Sequence, residues 1–69
     1  MTTATVHING EISHIPTGLT LAALLERLNV PAAGVAIAKN ETVVPRSAFA
    51  TEPVAGGDRI EIIRAVAGG

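Results

Sequence analysis

The 69-residue sequence contains no cysteine, tryptophan or tyrosine, and Phe49 is its only phenylalanine. Without cysteine the chain can form no disulfide and offers no thiol as a nucleophile or metal ligand. Without large aromatic rings it lacks the side chains on which nucleic-acid bases stack. Its formal net charge of −1 leaves no excess of cations to neutralise phosphates. We therefore expect no nucleic-acid binding.

Long hydrophobic runs are absent as well, although 48% of the residues are hydrophobic. No run approaches the roughly 20 apolar residues that cross a bilayer, and residues 1–5 lack the basic and apolar regions of a secretory signal. We expect a cytoplasmic protein that does not bind membranes. The length suffices for one domain with a thin core, which we assign to residues 1–66, followed by a flexible tail at residues 67–69.

The first half of the sequence predicts a β-hairpin. Asn-Gly at positions 9 and 10 lies between two short alternating runs, which is the strongest local signal of a hairpin turn. A two-residue turn would place Ile8 opposite Glu11, whereas a three-residue loop would place Ile8 opposite Ile12. We favour the longer loop, because it puts both isoleucines on one apolar face and a slip by one residue would invert that face.

A helix is predicted over residues 20–28. Thr20 is a suitable N-cap, Asn29 suits the left-handed position after the last turn, and Pro31 prevents continuation of the helix. The helix would carry one apolar stripe at the spacing i, i+3, i+4 and i+7, formed by Leu21, Leu24, Leu25 and Leu28.

The second half predicts three more strands, at residues 35–38, 43–44 and 60–66. Pro45 has no N–H group, so the short middle strand should lie at an edge of the sheet. The segments 39–42 and 56–58 should be turns, and the segment 46–55 should be irregular or contain one short helical turn. One helix packed on a mixed sheet of four to five strands gives a two-layer α+β domain.

Several short segments, in this order, resemble the ThiS family of sulfur carriers in thiamine biosynthesis. The similar segments are Val35–Asn40, Val43–Arg46, Gly57–Ile62 and Val66–Gly69. Each is weakly specific alone, but their order, spacing and terminal Gly-Gly are more specific together, and the resemblance covers residues 4–69. It implies a β-grasp, or ubiquitin-like, fold. It also implies a carrier and co-substrate rather than an enzyme, with no catalytic side chains, no metal and no bound cofactor.

The resemblance further implies a chemistry for the C-terminus. The carboxylate of Gly69 would be adenylated with ATP by a ThiF-like adenylyltransferase and converted by a persulfide sulfur donor into a thiocarboxylate. A cysteine desulfurase would supply the sulfur, and a ThiG-like thiazole synthase would accept it. Val66, Ala67 and Gly68 would form the part of the tail that enters the partner's active site.

General properties of a glycine terminus agree with this expectation. A free α-carboxyl group is ionised at neutral pH and can act as an oxygen nucleophile. Four extended residues reach at most about 14 Å, and glycine can pass a narrow channel because it has no Cβ atom. The absence of cysteine is compatible with sulfur that is carried on the backbone terminus.

Contacts with partners are predicted at two residues. Ile62 and Ile63 are consecutive, so one of them must face away from the helix. An exposed Ile63 beside Val66 would suit the docking of an activating enzyme or a synthase. Arg46 would either contact a partner or act as an edge-strand charge that prevents aggregation.

Other sites and functions have less support. His7 and His14 lack carboxylates at ligand spacing, so we interpret them as exposed strand residues and expect no metal site. One alternative function is the sulfur-carrying small subunit of molybdopterin synthase. The other is a non-carrier ubiquitin-like interaction domain or protein modifier. An enzyme is the weakest interpretation, because no nucleophile–base pair, carboxylate pair or metal cluster is found.

Overall fold

The computed structural model describes residues 2–64. Within that range the elements are β1 (Thr3–Ile8), β2 (Glu11–Pro16), α1 (Leu21–Arg27), β3 (Val35–Lys39), β4 (Thr42–Val44), a 3₁₀ helix (Arg46–Ala48) and β5 (Arg59–Arg64). The strands form one five-stranded sheet in the order β2-β1-β5-β3-β4, with β5 at its centre. β1 and β5 are parallel, and the other neighbouring pairs are antiparallel. The predicted mixed sheet with one main helix is confirmed.

The β1–β2 hairpin has a different register from the one that we favoured. Ile8 lies opposite Glu11, so the loop has two residues and the three-residue prediction is wrong. Asn9 and Gly10 both have positive φ, at 52° and 84°, as a type I′ turn requires, and the twist of that turn matches the twist of the flanking strands. Turn geometry therefore outweighs the pairing of two isoleucines, and Ile12 is left 65% exposed.

Helix α1 begins where the sequence predicts. The Thr20 hydroxyl oxygen accepts a hydrogen bond from the N–H of Ala23 at 3.2 Å, which satisfies one of the unpaired donors of the first turn. Two more donors of this region are satisfied by the backbone carbonyls of Phe49 and Glu52, each at 2.9 Å. The segment after the 3₁₀ helix therefore helps to cap α1.

The end of α1 also agrees with the prediction. Asn29 adopts the left-handed conformation, with φ at 58°. Its N–H donates to the carbonyl of Glu26, and the N–H of Val30 donates back to the carbonyl of Leu25. These two bonds form the Schellman arrangement that closes many helices. The predicted apolar stripe is shorter than expected, because Leu28 lies past the last helical residue and is exposed.

A second two-residue turn joins β3 to β4. Lys39 lies opposite Thr42, and Asn40 and Glu41 both have positive φ, at 51° and 70°. The left-handed conformation is unfavourable for a residue such as Glu41, since its Cβ crowds the backbone. The predicted edge position of β4 is confirmed, as is the short helical turn in the segment 46–55.

The core lies between the sheet and α1 and is almost entirely aliphatic, as the composition predicts. Phe49 is its one aromatic member and anchors the irregular segment to the domain. The helices in the described part of the chain are too short and not apolar enough to cross a membrane. The buried residues are Ala4, Val6, Ile15, Leu21, Leu24, Leu25, Ile37, Val44, Phe49, Val54 and Ile60.

Candidate functional site

The residues predicted to carry the chemistry lie outside the described range of 2–64. They are Val66, Ala67, Gly68 and Gly69. The structure does describe the strand that leads to them. β5 ends at Arg64 and lies between β1 and β3 at the centre of the sheet. The described part of the chain therefore ends in the central strand of the sheet.

The two sides of β5 are occupied to different extents. On the β3 side five residue pairs join the strands, from Lys39 opposite Ile60 to Val35 opposite Arg64. On the β1 side only two pairs form, at Arg59 and Ile60. The last part of β5 is thus paired to a strand on one side only.

The side chains of two turn asparagines add to the hydrogen bonding of β5. The Oδ1 atom of Asn40 accepts from the N–H of Arg59 at 2.9 Å, and the Oδ1 atom of Asn9 accepts from the N–H of Ile62 at 2.8 Å. In each case a carboxamide takes the place of a strand carbonyl. Both roles are missed from the sequence, where asparagine at these positions signals only a turn.

Asp58 fixes the start of β5. Its Oδ1 atom accepts from Nδ2 of Asn40 at 2.9 Å, and its Oδ2 atom accepts from the N–H of Ala55 at 2.8 Å. The preceding Gly57 has φ of 87° and donates its N–H to the carbonyl of Thr5 at 2.8 Å. The Gly-Asp pair that contributes to the family resemblance therefore has a structural role, which is to turn the chain and align the last strand.

Lys39 is the only cationic residue for which the structure shows an ion pair within residues 2–64. Its Nζ atom lies 2.6 Å from Oε2 of Glu52 and 3.0 Å from the carbonyl oxygen of Pro53. It also lies 3.9 Å from Oδ2 of Asp58. With these acceptors around it, the ammonium group fastens the irregular segment to β3. Lys39 is therefore a structural residue rather than a candidate for catalysis.

The sheet face opposite α1 is open and carries apolar side chains. Ile63 is 59% exposed and Val43 is 73% exposed. In the strand register they lie opposite Ala36 and Ala38, respectively, so the four residues form one surface, which we call the open-face patch. Ile62 points the other way and packs against the core. Of the two consecutive isoleucines, Ile63 is therefore the one that faces away from the helix, as the docking prediction requires.

Arg46, the other residue predicted to contact a partner, begins the 3₁₀ helix that follows Pro45. Its side chain is exposed and forms no ion pair within residues 2–64. It lies two residues after the end of the edge strand β4. This position is compatible with a partner contact and with protection of the sheet edge.

The two histidines differ in burial. His14 is exposed, and its Nδ1 atom lies 3.1 Å from the hydroxyl of Thr5. His7 is half-buried, because β1 has a strand on each side, and its Nδ1 atom has no hydrogen-bond partner among the described residues. The prediction of two exposed histidines is therefore wrong for His7. The described residues contain no cluster of three metal ligands. A cavity of about 370 Å³ is lined by His7, Gly10, Glu41, Arg59, Ile60 and Glu61.

Known proteins resemble this chain over most of its length. The sequence model of the ThiS family matches residues 6–69, which include the residues beyond Arg64. Sulfur carrier protein ThiS of Escherichia coli is 38% identical over 61 residues, which make up 88% of this chain and 92% of that protein. The crystal structure of the thiamine biosynthesis protein ThiS from Geobacter metallireducens superposes with a TM-score of 0.80 at 31% identity. That superposition covers 94% of this chain and 99% of the other.

A longer protein contains a similar segment. Thiazole synthase of Paramagnetospirillum magneticum is 39% identical over 62 residues, which are 90% of this chain but only 19% of that protein. This chain thus corresponds to about a fifth of the thiazole synthase and to most of the Escherichia coli carrier. Because the family match covers nearly the whole sequence and the fold agrees, the chain belongs to the ThiS family of sulfur carrier proteins.

Proposed function

We propose that this protein carries sulfur for thiazole formation in thiamine biosynthesis, and that it does so on the C-terminal carboxylate of Gly69. The observation that carries the proposal is the extent of the family match, which runs to residue 69. The fold supports it, since a central strand leads directly to this segment. The folded body would serve as a handle that a partner holds while residues 65–69 reach into its active site.

The proposed chemistry needs no catalytic side chain from this protein. A carboxylate oxygen of Gly69, ionised at neutral pH, attacks the α-phosphorus of ATP, and pyrophosphate leaves. The terminal sulfur of a persulfide then attacks the acyl carbon, AMP leaves, and a thiol cleaves the remaining S–S bond to release the thiocarboxylate. ATP and the persulfide donor are bound by partner enzymes. We propose no resident cofactor and no metal for this chain, which acts as a co-substrate.

The proposed partners are a ThiF-like adenylyltransferase, a ThiG-like thiazole synthase and a cysteine desulfurase as the source of sulfur. The Paramagnetospirillum magneticum thiazole synthase supports the second of these, since it contains a segment similar to this chain. Joining a carrier to the enzyme that accepts its cargo raises their effective concentration. We place the reaction in the cytoplasm, where ATP is available for adenylation.

We propose that the open-face patch and Arg46 contact a partner. Ile63 lies in the strand that precedes the terminal segment, so an enzyme that takes up Gly69 passes close to it. Exposed apolar side chains that adjoin one another are typical of interaction surfaces. Arg46 adds a cation without an ion pair within residues 2–64.

Matched substitutions test this docking surface. Ile63→Ser should raise the KM for the carrier in adenylation or sulfur transfer, with only the small loss of Tm that lower β propensity causes at an exposed strand position. Its control is Ile12→Ser, because Ile12 is similarly exposed but lies on the edge strand β2. Arg46→Ala is compared with Arg27→Ala, a change of an exposed arginine at the end of α1. Equal effects within each pair would rule out docking at these residues.

Intact-protein mass spectrometry tests the carrier function. After incubation with ATP, the adenylating enzyme and a persulfide donor, the protein should gain the mass difference between one sulfur and one oxygen. Deletion of Gly69 should abolish the gain, and sulfur loading of the shortened protein would refute the proposal. The protein from its natural source should also end at Gly69, because following residues would leave no free carboxylate there.

A second pair of variants tests the passage of the tail. Gly68→Ala should impair adenylation, since a Cβ atom narrows the fit in a channel built for glycine. Gly56→Ala is the control, because an added Cβ there would lie 4.0 Å from the Cβ of Ala4, an ordinary contact. A large loss of stability in Gly68→Ala would indicate instead that the tail has a structural role.

The alternative functions predict other products. Conjugates of higher mass, joined to lysines through isopeptide bonds, would indicate a protein modifier. Co-purification with a molybdopterin synthase would indicate sulfur transfer to a pterin precursor. The similarity to a thiazole synthase and to ThiS proteins favours thiazole formation over both.

A further inference from the structure

The edge of β5 that faces β1 is occupied only at its beginning. Parallel pairing ends at Ile8 opposite Ile60, because the β1–β2 turn leads the chain away. Successive residues of a strand direct their backbone groups to opposite sides. The N–H of Ile62 points to the β1 side, where it donates to Asn9. The carbonyl of Ile62 and both backbone groups of Arg64 therefore point to the same side, and they form no hydrogen bond within residues 2–64.

The other edge of the same segment is filled. Ile63 lies opposite Ala36, and Arg64 lies opposite Val35 at the beginning of β3. A new strand that approached from this side would collide with β3. On the β1 side, however, the three backbone groups that are unpaired within residues 2–64 form a short template for a strand, as unpaired sheet edges do.

The segment that follows has almost no side chains by which it could be recognised. Residues 67–69 are Ala-Gly-Gly, so an enzyme must bind them chiefly through main-chain hydrogen bonds. The common way to bind an extended peptide through its main chain is to pair it with a β-strand. An enzyme strand that pairs with the terminal segment on the β1 side can continue onto the body of this protein as far as Ile62.

We propose that the free edge at Ile62–Arg64 docks an extended strand of the adenylating enzyme, which pairs with β5 and so aligns Gly69 with ATP. This inference rests on the proposed sulfur-carrier function. Asn9 sets the inner limit of the docking edge, because its carboxamide already occupies the N–H of Ile62. Arg64 is exposed and has no ion pair within residues 2–64, so an acidic side chain on the enzyme strand would complement it.

Amide hydrogen exchange measured by NMR tests the docking edge. In the free protein the N–H of Arg64 should exchange rapidly, whereas that of Ile63, which faces β3, should be protected. Adding the adenylating enzyme should slow exchange at Arg64 by at least about tenfold and leave Ile63 unchanged. Equally fast exchange at Arg64 in the complex would overturn the proposal.

Slow exchange at Arg64 in the isolated protein would overturn it as well. A dependence on protein concentration would assign the edge to a second copy of the chain. Slow exchange at every concentration would assign it to residues 65–69 of the same molecule. In both cases the edge would be unavailable to the enzyme.

A chemically synthesised variant removes the hydrogen-bond donor alone. An ester in place of the Ile63–Arg64 amide keeps both side chains but has no N–H. It should raise the KM in ATP–pyrophosphate exchange by about tenfold. The control is an ester before Ile12. The N–H that this ester removes, that of Ile12, points outward from β2, since Glu11 and Ile8 form the hydrogen-bonded pair that closes the turn. Each substitution also turns one amide carbonyl within the sheet into an ester carbonyl, which is a weaker hydrogen-bond acceptor. The effects of the two esters on Tm should therefore match.

The two esters also separate this inference from the function on which it rests. Normal kinetics of the Arg64 ester, in an assay where the unmodified protein is adenylated, would overturn only the docking edge. Failure of the unmodified protein to support pyrophosphate exchange would refute the carrier function and the docking edge with it.

Discussion

The two faces of the sheet use the same strands but differ in what they contact. In β4, Val44 points toward α1 and is buried, whereas its neighbour Val43 is 73% exposed on the open face. In β5 the same difference separates Ile62, which packs against the core, from Ile63. Stability thus depends mainly on the face that packs against α1, which we call the covered face. Residues of the open face can be changed, by evolution or by experiment, with little effect on folding.

The covered face depends on a small helix that other elements support. α1 has only seven residues, and an isolated helix of that length would not be stable in water. It persists because three of its leucines are buried in the core and because the segment near Phe49 and Glu52 caps its first turn. The comparison of the two faces can therefore be tested on both the helix and the strands.

Removal of a buried leucine should have the largest effect. Leu24→Ala should lower the free energy of unfolding by about 2–5 kcal/mol, because it leaves a cavity between α1 and the sheet. Leu28→Ala is the control in the same region, and its cost should be small since Leu28 is exposed. Urea denaturation followed by circular dichroism measures both. Equal costs would mean that Leu24 and Leu28 are buried to the same extent in solution.

Adjacent valines provide the most direct comparison of the faces. Val44→Ala should cost about 2 kcal/mol, from lost burial and incomplete repacking. Val43→Ala removes the same atoms from the exposed position and should cost about 0.5 kcal/mol, through lower β propensity. Thermal unfolding of the two variants under identical conditions measures the difference. A reversed order would show that the open face is covered in solution.

Loss of the helix cap should have a smaller effect. Thr20→Ala removes the acceptor for the N–H of Ala23 and should cost about 1 kcal/mol. Thr20→Ser keeps the hydroxyl group and should retain most of the stability. If both variants lost the same amount in denaturant titrations, the hydroxyl would not be the group that matters.

Relief of a strained turn should give the smallest effect, and a favourable one. Glu41→Gly removes the strain of a glutamate in the left-handed conformation, but glycine also raises the entropy of the unfolded chain. The free energy of unfolding should therefore rise by a net amount of about 0.5–1 kcal/mol. Asn40→Gly also relieves a positive φ but loses the bonds to Arg59 and Asp58, so it should destabilise. Calorimetric Tm values of the two variants should therefore move in opposite directions.

The turns show how far prediction from the sequence could go. Asn9-Gly10 is recognisable because both residues tolerate positive φ, yet the register was wrong, since the apolar pattern favoured a pairing that turn geometry excludes. Asn40-Glu41 carries a weaker signal, and it was predicted only as part of a longer turn. The bonds from the two asparagine side chains to β5 join residues 53 and 19 positions apart. No local pattern contains such contacts.

The predicted site shows the same limit. The leucines of the helix and the pair Ile62-Ile63 were interpretable because side-chain periodicity follows directly from backbone geometry. The half-burial of His7 was not, because it depends on β5 lying beside β1. The terminal segment could be singled out by residue type alone, whereas the free edge of Ile62–Arg64 follows from where β1 ends.

The sequence by itself determined the kinds of elements, their order, the aliphatic core and the glycines at positions 68 and 69, because these depend on local periodicity, capping and composition. Only the tertiary structure decided the register of the first hairpin and the central position of β5. It also decided which isoleucine is exposed and which edge of the last strand is left open. Those properties arise from contacts between distant segments, and their energies depend on geometry that neighbouring residues do not specify.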